Sequence, residues 1–195
     1  MTETKTTQRR SNRSSEQSRA AILQATRDEL AENGWRKFSV DKVSRSAKAS
    51  KQTIYRWWPA IGNMCIEAAI TLIPAHTSQG RDPAERIADL IRPLEMTIQT
   101  GSGHSVLRAA ILASCDDHEA GITWRTWLKD NIRGPLRLIL AEIASKRVIR
   151  RDFELEDAMD TLLGPMWNRV LTMRAPLPPE YSLRQSRLLI SQLAP

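Results

Sequence analysis

The sequence predicts an all-α protein with a small helix-turn-helix module near the N-terminus and a larger helical region behind it. Apolar residues recur at three- and four-residue steps along most of the chain, and no segment of convincing length alternates as a strand would. Serine, aspartate, proline and glycine stand where these periodic segments begin and end. With 195 residues and 41% hydrophobic content, the chain is long enough for one sizeable core and a small satellite module.

The positive charge of the chain is concentrated in its first 58 residues. This segment contains 13 Lys or Arg and 6 Asp or Glu, whereas the remaining residues contain 16 of each. Such a concentration predicts a polyanionic partner, and nucleic acid is favoured over an anionic membrane because no single long amphipathic face is present. No apolar run approaches the roughly 20 residues that span a bilayer, and the N-terminus is too polar for a signal peptide. We therefore expect a soluble cytoplasmic protein with no membrane contact.

The N-terminal segment divides into an arm and a first helix. Residues 1–17 are polar and basic, have no apolar residue after Met1, and are expected to form a disordered arm. Such an arm can enter a minor groove or merely increase solubility, and the composition leaves both possibilities open. Ser18 is expected to cap a helix that ends near Asn33, where Gly34 supplies the stop.

Two short helices joined by a tight turn follow. Ser39 and Ser50 are the expected N-caps of helices over about 40–46 and 51–57. Three helices within about 40 residues, the last two joined by a tight turn, are typical of a helix-turn-helix module. We therefore predict a DNA-binding domain over residues 18–60.

Residues 61–195 are expected to form a C-terminal helical domain. After a loop at 74–81, Asp82 and Pro83 mark a strong helix start, because they supply an N-cap and a proline at the first helical position. The Gly-Ser-Gly at 101–103 should break the helical pattern. The helices predicted after the module run over about 61–72, from 83, over 106–115, from 122, and over 136–148, 154–173 and 181–193, which brings the total to nine or ten.

The few candidate reactive side chains do not predict an enzyme. Cys65 and Cys115 lie 50 residues apart without a CxxC motif, and both are expected to be buried small hydrophobes. Cys115 and His118, three residues apart, could share a metal or act as nucleophile and base. Because Asp116 and Asp117 between them are good N-cap residues, we favour a capping role for this segment. The expectation is a protein with no catalytic site, no cofactor and no metal.

One segment resembles a known DNA-binding signature. Residues 38–59, FSVDKVSRSAKASKQTIYRWWP, are similar to the helix-turn-helix of the tetracycline-repressor (TetR) family, and the SKQTIYRWWP ending resembles its recognition helix almost residue for residue. The specific resemblance covers about residues 18–72. Beyond it only the helical layout agrees, including the LLGP at 162–165. The resemblance implies a transcriptional regulator that binds a palindromic DNA operator through Ser39, Lys48, Ser50, Lys51, Gln52, Thr53, Tyr55 and Arg56.

The chemistry of the third helix agrees with this resemblance. A recognition helix enters the major groove with its N-terminus leading, so the first residues must bind bases or phosphates. Gln52 can pair bidentately with adenine, the methyl group of Thr53 can contact thymine, and Ser50 at the helix N-terminus can hold a phosphate. Tyr55 is similar to the family tyrosine that contacts the DNA backbone.

The same region contains two inward anchors and two departures from the family pattern. Ile54 and Trp58, four residues apart, are expected to point inward and fix the helix. Lys48 replaces the turn glycine usual in the family, and it must adopt a left-handed conformation or alter the turn. Ala60 and Ile61 replace the Ser-Lys found after the proline in many members, which should reduce a phosphate contact to backbone amides.

A ligand pocket in the C-terminal domain is implied by the resemblance. Taken alone, each of its candidate residues fits an ordinary core better than a pocket, and only the family resemblance favours a pocket. The low polar content of the set suggests an apolar or aromatic effector. The candidate pocket residues are Met64, Ala68, Met96, Ile111, Cys115, Trp124, Trp127, Met166 and Trp167.

The helix predicted over 154–173 has more apolar residues than one buried face requires, which indicates a second packing partner. The family resemblance implies that it joins the helix at 136–148 and the same pair of a second subunit in a four-helix bundle. Gly164 fits close helix approach, since a glycine inside a helix costs about 1 kcal/mol relative to alanine. The predicted dimer-interface residues are Leu140, Ile143, Leu155, Met159, Leu162, Gly164, Met166 and Val170.

These features together predict a homodimeric repressor that an unidentified small molecule releases from operator DNA. The alternative is a constitutive DNA-binding or nucleoid-type protein whose C-terminal helices only dimerise.

Overall fold

A computed structural model describes residues 3–75 and 80–195, with side chains described from residue 15 onward. This part of the chain is helical and contains no strand, as expected. A short 3-10 turn, Trp35–Lys37, follows the first helix, and π-helical segments extend the seventh and ninth helices over Lys129–Arg133 and Asn168–Met173. The α-helices are α1 Glu3–Asn33, α2 Val40–Ser46, α3 Lys51–Trp57, α4 Ile61–Ile70, α5 Pro83–Gln99, α6 Gly101–Asp116, α7 His118–Leu128, α8 Gly134–Ser145, α9 Leu155–Trp167 and α10 Tyr181–Gln192.

The chain divides into two compact units. One contains Met1–Thr71 with Ser105–Gly121, and the other contains Leu72–His104 with Ile122–Pro195. The boundary predicted at residue 60 therefore differs from the structure, in which α4 belongs with the helix-turn-helix. The reason is packing, because α4 helps to form the core of that module.

The helix-turn-helix has a core to which each of its four helices contributes. Ile54 is fully buried and Trp58 is 3% exposed, so the prediction that both point inward is confirmed. Phe38 and Trp57 pack against this core from its edge. The buried members are Ile22, Leu23 and Ala25 of α1, Val43 of α2, Ile54 and the adjoining Trp58 of α3, and Met64 and Ala68 of α4.

The first helix is longer than the sequence pattern predicts. α1 begins at Glu3 and runs without interruption to Asn33, so it includes residues 3–17, for which the sequence analysis expects a disordered arm. Met1 and Thr2 lie outside the described residues. The segment 3–33 has no glycine or proline. Adding a residue to an existing helix costs far less than nucleating a new one, so the packed half of α1 carries the polar half with it.

Side-chain caps set two helix starts near the middle of the chain. The glycines at 101–103 begin α6 rather than break it, because Thr100 Oγ1 accepts a 3.1 Å hydrogen bond from Gly103 N. α7 begins at His118, four residues before the predicted start. Asp117 Oδ1 accepts a 3.0 Å hydrogen bond from Ala120 N, which confirms the capping role expected for this aspartate.

Within the second unit, two polar contacts link helices that are far apart in the sequence, and the sequence analysis did not identify them. Glu95 of α5 is 5% exposed and accepts hydrogen bonds from Tyr181 N at 3.0 Å and Ser182 N at 2.9 Å, at the start of α10. Arg86 Nη2 lies 2.7 Å from Glu142 Oε2 and thereby links α5 to α8. Hydrogen bonds from Arg86 and Lys146 lower the pKa of Glu142 to about 2.

No helix in the described ranges, 3–75 and 80–195, has the length and apolar character needed to cross a membrane. The predicted loop at 74–81 agrees with the gap between α4 and α5, although residues 76–79 lie outside the description.

Candidate nucleic-acid interface

The two helices of the motif begin at the predicted serines. Ser39 Oγ accepts a hydrogen bond from Lys42 N at 3.4 Å, and Ser50 Oγ accepts one from Thr53 N at 3.1 Å. The hydroxyls of Ser50 and Thr53 also share a hydrogen bond of 2.9 Å. These caps satisfy backbone donors that would otherwise lack partners, and so fix where α2 and α3 start.

The turn between α2 and α3 depends on an unusual backbone conformation. Lys48 has a φ of 52°, which is the left-handed conformation anticipated from the absence of glycine. The turn is closed by a 3.0 Å hydrogen bond from Ala49 N to Ser44 O and a 2.6 Å hydrogen bond from Ser44 Oγ to Ala49 O. A lysine in this conformation costs about 1 kcal/mol, and its exposed side chain adds positive charge beside α3.

The outer face of α3 is polar and open to solvent. Lys51, Gln52, Tyr55 and Arg56 are exposed, with Tyr55 at 46%, and Thr53 is half-buried. The opposite face holds the buried Ile54. The structure thus places six of the residues predicted to contact DNA on α3 and its N-cap, Ser50 to Thr53 with Tyr55 and Arg56, whereas Ser39 caps α2 and Lys48 lies in the turn between the two helices.

An ion pair not identified from the sequence connects the two helices of the motif. Lys51 Nζ of α3 pairs with Asp41 Oδ1 of α2. The hydrogen bond that the Lys51 ammonium donates to Asp41 raises the pKa of Lys51. Both side chains are more than half exposed, so the pair contributes little to stability. Its effect is to hold the ammonium group near the N-terminus of α3.

A second network fixes the end of α3 against α1 and α4. Glu67 Oε2 accepts hydrogen bonds from Arg19 Nη2 at 2.7 Å and from Trp58 Nε1 at 2.8 Å. The Arg19 guanidinium also lies over the Trp58 ring, 5.3 Å from its centroid. Sequence spacing gave no signal for this network, because its members come from three separate segments.

The structure does not gather the predicted ligand-pocket residues into one cavity. Met64 and Ala68 belong to the helix-turn-helix core, Met96 is 53% exposed, and Cys115 is exposed, not buried as expected. The spacing of these residues predicted that each lies on a helix, but it did not predict which other helix packs against each side chain. Ile111 on α6 is 8% exposed and lies in the first unit, as do Met64 and Ala68.

The tryptophans of the predicted pocket do come together in the second unit. Trp124 stacks on Trp127 with ring centroids 5.4 Å apart and meets Trp167 edge-on at 6.1 Å. Met166, also predicted for the pocket, is fully buried. Trp127 further lines a cavity of about 90 Å³, together with Ile73, Pro74, Ala75, Leu90, Pro93, Leu94, Asn131 and Ile132.

Most of the predicted dimer-interface residues face the interior of their own subunit. Leu140, Ile143, Leu162, Met166 and Val170 are all at most 1% exposed, so the predicted interface is corrected at these positions. A side chain that its own subunit already covers offers no surface to a partner. Of the remaining three, Leu155 and Met159 are half-buried and Gly164 is exposed.

The described residues contain no group of three or more His, Cys, Asp or Glu side chains that could hold a metal ion. Burial raises the pKa of the Cys65 thiol well above its ordinary value, so this thiol is unsuited to act as a nucleophile. Asp116 accepts a 3.0 Å hydrogen bond from Trp35 Nε1, which gives it a structural role within the first unit.

Comparisons with known proteins agree with this geometry. The family model for bacterial regulatory proteins of the tetR family matches residues 22–63. An HTH-type transcriptional regulator of Bacillus subtilis is 27% identical over 157 residues, which cover 77% of each chain. The fold is shared with a TetR family transcription regulator at 22% identity and a TM-score of 0.61, covering 91% of this chain and 99% of that one. A transcriptional regulator from Rhodococcus sp. Rha1 shares it at 18% identity and a TM-score of 0.63, covering 90% and 95%.

Proposed function

This chain belongs to the TetR family of bacterial regulatory proteins, and we propose that it is a homodimeric repressor that an apolar or aromatic small molecule releases from its operator. The chain is a DNA-binding transcriptional regulator, and regulators of this family are not enzymes. The observation that carries the proposal is the solvent-facing side of α3, which is capped by Ser50, anchored by Ile54 and rich in hydrogen-bonding groups.

We assign recognition of the DNA bases to the first residues of α3. The amide of the exposed Gln52 suits the donor and acceptor of adenine in the major groove, and Thr53 suits the methyl group of thymine. We assign phosphate contacts to the basic, hydroxyl and aromatic groups around them, because such contacts position a helix without reading sequence. These residues are Ser39, Lys48, Ser50, Lys51, Tyr55 and Arg56.

Selection of binding sites from a random duplex library tests this assignment. We expect a palindromic consensus, and Gln52→Ala or Thr53→Ala should lose discrimination at particular positions by about 1–3 kcal/mol. Lys51→Ala should instead weaken binding to all sequences alike. Gln192→Ala, at an exposed position on α10, is the matched control and should behave as wild type. Full operator discrimination by the Gln52 and Thr53 variants would show that α3 does not read the bases.

A second copy of the chain is the proposed partner of the exposed faces of α8 and α9. Leu138 of α8 is 66% exposed, and the small Ala141 beside it is exposed as well. Gly164 of α9 is exposed, and apart from its chain neighbours and the backbone of α9 no described atom lies within 4 Å of the position that a Cβ would occupy. Two-fold pairing through these faces would place two recognition helices on successive major grooves, which lie about 34–36 Å apart.

Sedimentation at micromolar concentration tests the pairing. Leu138→Glu and Gly164→Leu should each yield monomers that bind the operator poorly, although α3 is unchanged. Leu188→Glu, at a 47% exposed leucine of α10, is the control and should stay dimeric. A monomeric wild type, or variants that remain dimeric and tight-binding, would remove these faces from the proposal.

The cavity lined by Trp127 is the proposed effector site. Apart from Asn131, the residues that line it have apolar side chains, while polar atoms also contribute to its surface. Asn131 Nδ2 donates a 2.9 Å hydrogen bond to Trp127 O. A volume of about 90 Å³ is smaller than the roughly 150 Å³ cavity that accepts benzene. An effector must therefore select a wider state of the site, which is the kind of population shift that couples a ligand to a conformational change.

A screen of apolar and aromatic compounds for operator release tests the effector site. Leu94→Phe, which fills the cavity, should weaken binding of an active compound at least tenfold and leave operator affinity unchanged. Leu188→Phe serves as the control outside the cavity. If saturating binders fail to release the operator, the constitutive DNA-binding alternative replaces the repressor proposal.

A further inference from the structure

Two oppositely charged side chains meet at the starts of α2 and α3. Asp41 is the second residue of α2, and Lys51 is the first residue of α3. The Lys51 ammonium donates a hydrogen bond to the Asp41 carboxylate and forms an ion pair with it. The exposed fractions of the two side chains are 55% for the lysine and 61% for the aspartate. Both charged groups are therefore accessible to a DNA duplex that approaches α3.

Asp41 is the only acidic residue in a strongly basic segment of the sequence. Residues 34–66 contain this one acid and seven bases. Bases that neutralise phosphates increase the affinity for any duplex, whereas phosphates repel a carboxylate. An acid among these bases therefore opposes DNA binding. The seven bases are Arg36, Lys37, Lys42, Arg45, Lys48, Lys51 and Arg56.

The carboxylate of Asp41 pairs with one of these bases in particular. Its partner is Lys51, whereas Lys42, the next residue along α2, lies 3.5 Å from Glu29 Oε1 of α1. Arg45 Nε donates a 3.3 Å hydrogen bond to the backbone oxygen of Asp41. An ammonium group binds carboxylates and phosphates through the same kind of charge-assisted hydrogen bond. Asp41 and a DNA phosphate consequently compete for Lys51.

We propose that Asp41 binds Lys51 in the free protein in place of a DNA phosphate, and thereby lowers the affinity of the protein for duplexes of any sequence. The inference rests on the proposed function, in which Lys51 contacts a phosphate. Asp41 is a positioning residue, because it acts through Lys51. The ion pair opens before the ammonium reaches a phosphate, and this cost is the same on operator and on random DNA because phosphates carry no sequence information.

The test variant is Asp41→Asn, which removes the charge and keeps the size of the side chain. The matched control is Glu32→Gln, the same charge change at an exposed glutamate of α1 in the same unit. Loss of an exposed ion pair changes an equilibrium constant by roughly 1.4- to 5-fold, or about 2- to 25-fold for the two subunits of the proposed dimer. Fluorescence anisotropy with the selected operator and with a scrambled duplex measures both affinities.

We expect Asp41→Asn to bind both duplexes about 2- to 25-fold more tightly than wild type, with an unchanged ratio between them. Glu32→Gln should change both affinities less than Asp41→Asn does. Unchanged or weaker binding by Asp41→Asn would overturn the proposal. Weaker operator binding with a lost preference at one position would instead assign Asp41 to the amino group of a base.

A double-mutant cycle separates the release of Lys51 from simple repulsion between Asp41 and the phosphates. In the Lys51→Gln background, Asp41→Asn should raise affinity no more than Glu32→Gln does, because no ammonium remains to be released. The same gain in both backgrounds would mean that the carboxylate acts by repulsion alone, and this would overturn the proposal.

The protonation of Lys51 gives a readout on the free protein. The hydrogen bond to Asp41 raises the pKa of Lys51. NMR titration of the lysine side chains, with Lys51 assigned from the spectrum of Lys51→Gln, should therefore give a lower pKa for Lys51 in Asp41→Asn than in wild type. Equal values would show that the pair does not form in solution and would overturn the proposal. Failure of wild type to bind any selected duplex would refute the proposed function itself, so the two failures are distinguishable.

Discussion

Replacing Glu95 by glutamine should loosen the attachment of α10 to α5. The carboxylate is 5% exposed and accepts hydrogen bonds from Tyr181 N at 3.0 Å, Ser182 N at 2.9 Å and the Ser182 hydroxyl. The two backbone amides belong to the first turn of α10, which has no side-chain cap from its own N-cap residue. Glu95 of α5 therefore caps the N-terminus of α10, a role that the N-cap residue of the helix itself usually has.

The cost of the Glu95→Gln change follows from the bonds that it alters. A hydrogen bond to a charged group contributes about 1.5–3 kcal/mol, and an unsatisfied buried group adds a penalty of about 1–3 kcal/mol. Glutamine keeps one accepting oxygen but turns an NH₂ group toward a donor. Since such terms are not additive, we expect a loss of about 2–4 kcal/mol in the free energy of unfolding. In a chain of this size that corresponds to a Tm lower by about 4–16 °C.

Urea denaturation followed by tryptophan fluorescence and far-ultraviolet circular dichroism measures this change. Glu119→Gln, at an exposed glutamate of α7, is the matched control and should shift the free energy of unfolding by less than about 0.5 kcal/mol. A Glu95 variant as stable as the control would refute the reasoning, because it would mean that the two amides of α10 do not depend on the carboxylate.

Two substitutions and one thiol titration test further local features. Lys48→Gly should raise the free energy of unfolding by about 1 kcal/mol, because glycine adopts a φ of 52° without strain, and should weaken DNA binding at low salt through the lost charge; a less stable variant would contradict this. The Arg86 contact stabilises the fold while Glu142 is ionised, fully above pH 4.5 and progressively less as pH falls toward 2. Glu142→Gln should therefore flatten the stability profile across that range in acid titration, and an unaltered profile would exclude the contact. Thiol titration of the native protein should label the exposed Cys115 and spare the buried Cys65 until unfolding; labelling of both would contradict the burial.

The sequence analysis was accurate where a feature depends on residues close together in the chain, and it failed where a feature depends on contacts between distant segments. The starts of α2, α3 and α5 were predicted to the residue because Ser39, Ser50 and Asp82 accept hydrogen bonds from amides three residues ahead. The contacts of Glu67 and Glu95 could not be predicted, since each joins segments far apart in sequence. Periodicity identifies a helix, but it does not identify the other helix that covers its face.

The N-terminal extent of α1 also differs from the expected helix start at Ser18. Composition correctly showed that residues 3–17 have nothing to bury, but the prediction treated the arm as a separate segment. In the structure it is an extension of a helix that is already nucleated.

The dimer stays a prediction, although the width of the apolar stripe on α9 no longer supports it. The stripe was wide because α9 packs inside its own subunit, where Leu162, Met166 and Val170 are fully buried, so its width no longer requires a second copy. Gly164 is different. A glycine inside a helix costs about 1 kcal/mol relative to alanine, and apart from its chain neighbours and the backbone of α9 no described atom lies within 4 Å of the position that a Cβ would occupy there. No other described helix of the same subunit packs against this position. Close approach of another helix from a second copy would supply such packing, and Gly164→Ala should therefore stabilise the isolated subunit while weakening the dimer. A variant that strengthened both would leave the glycine without a role in assembly.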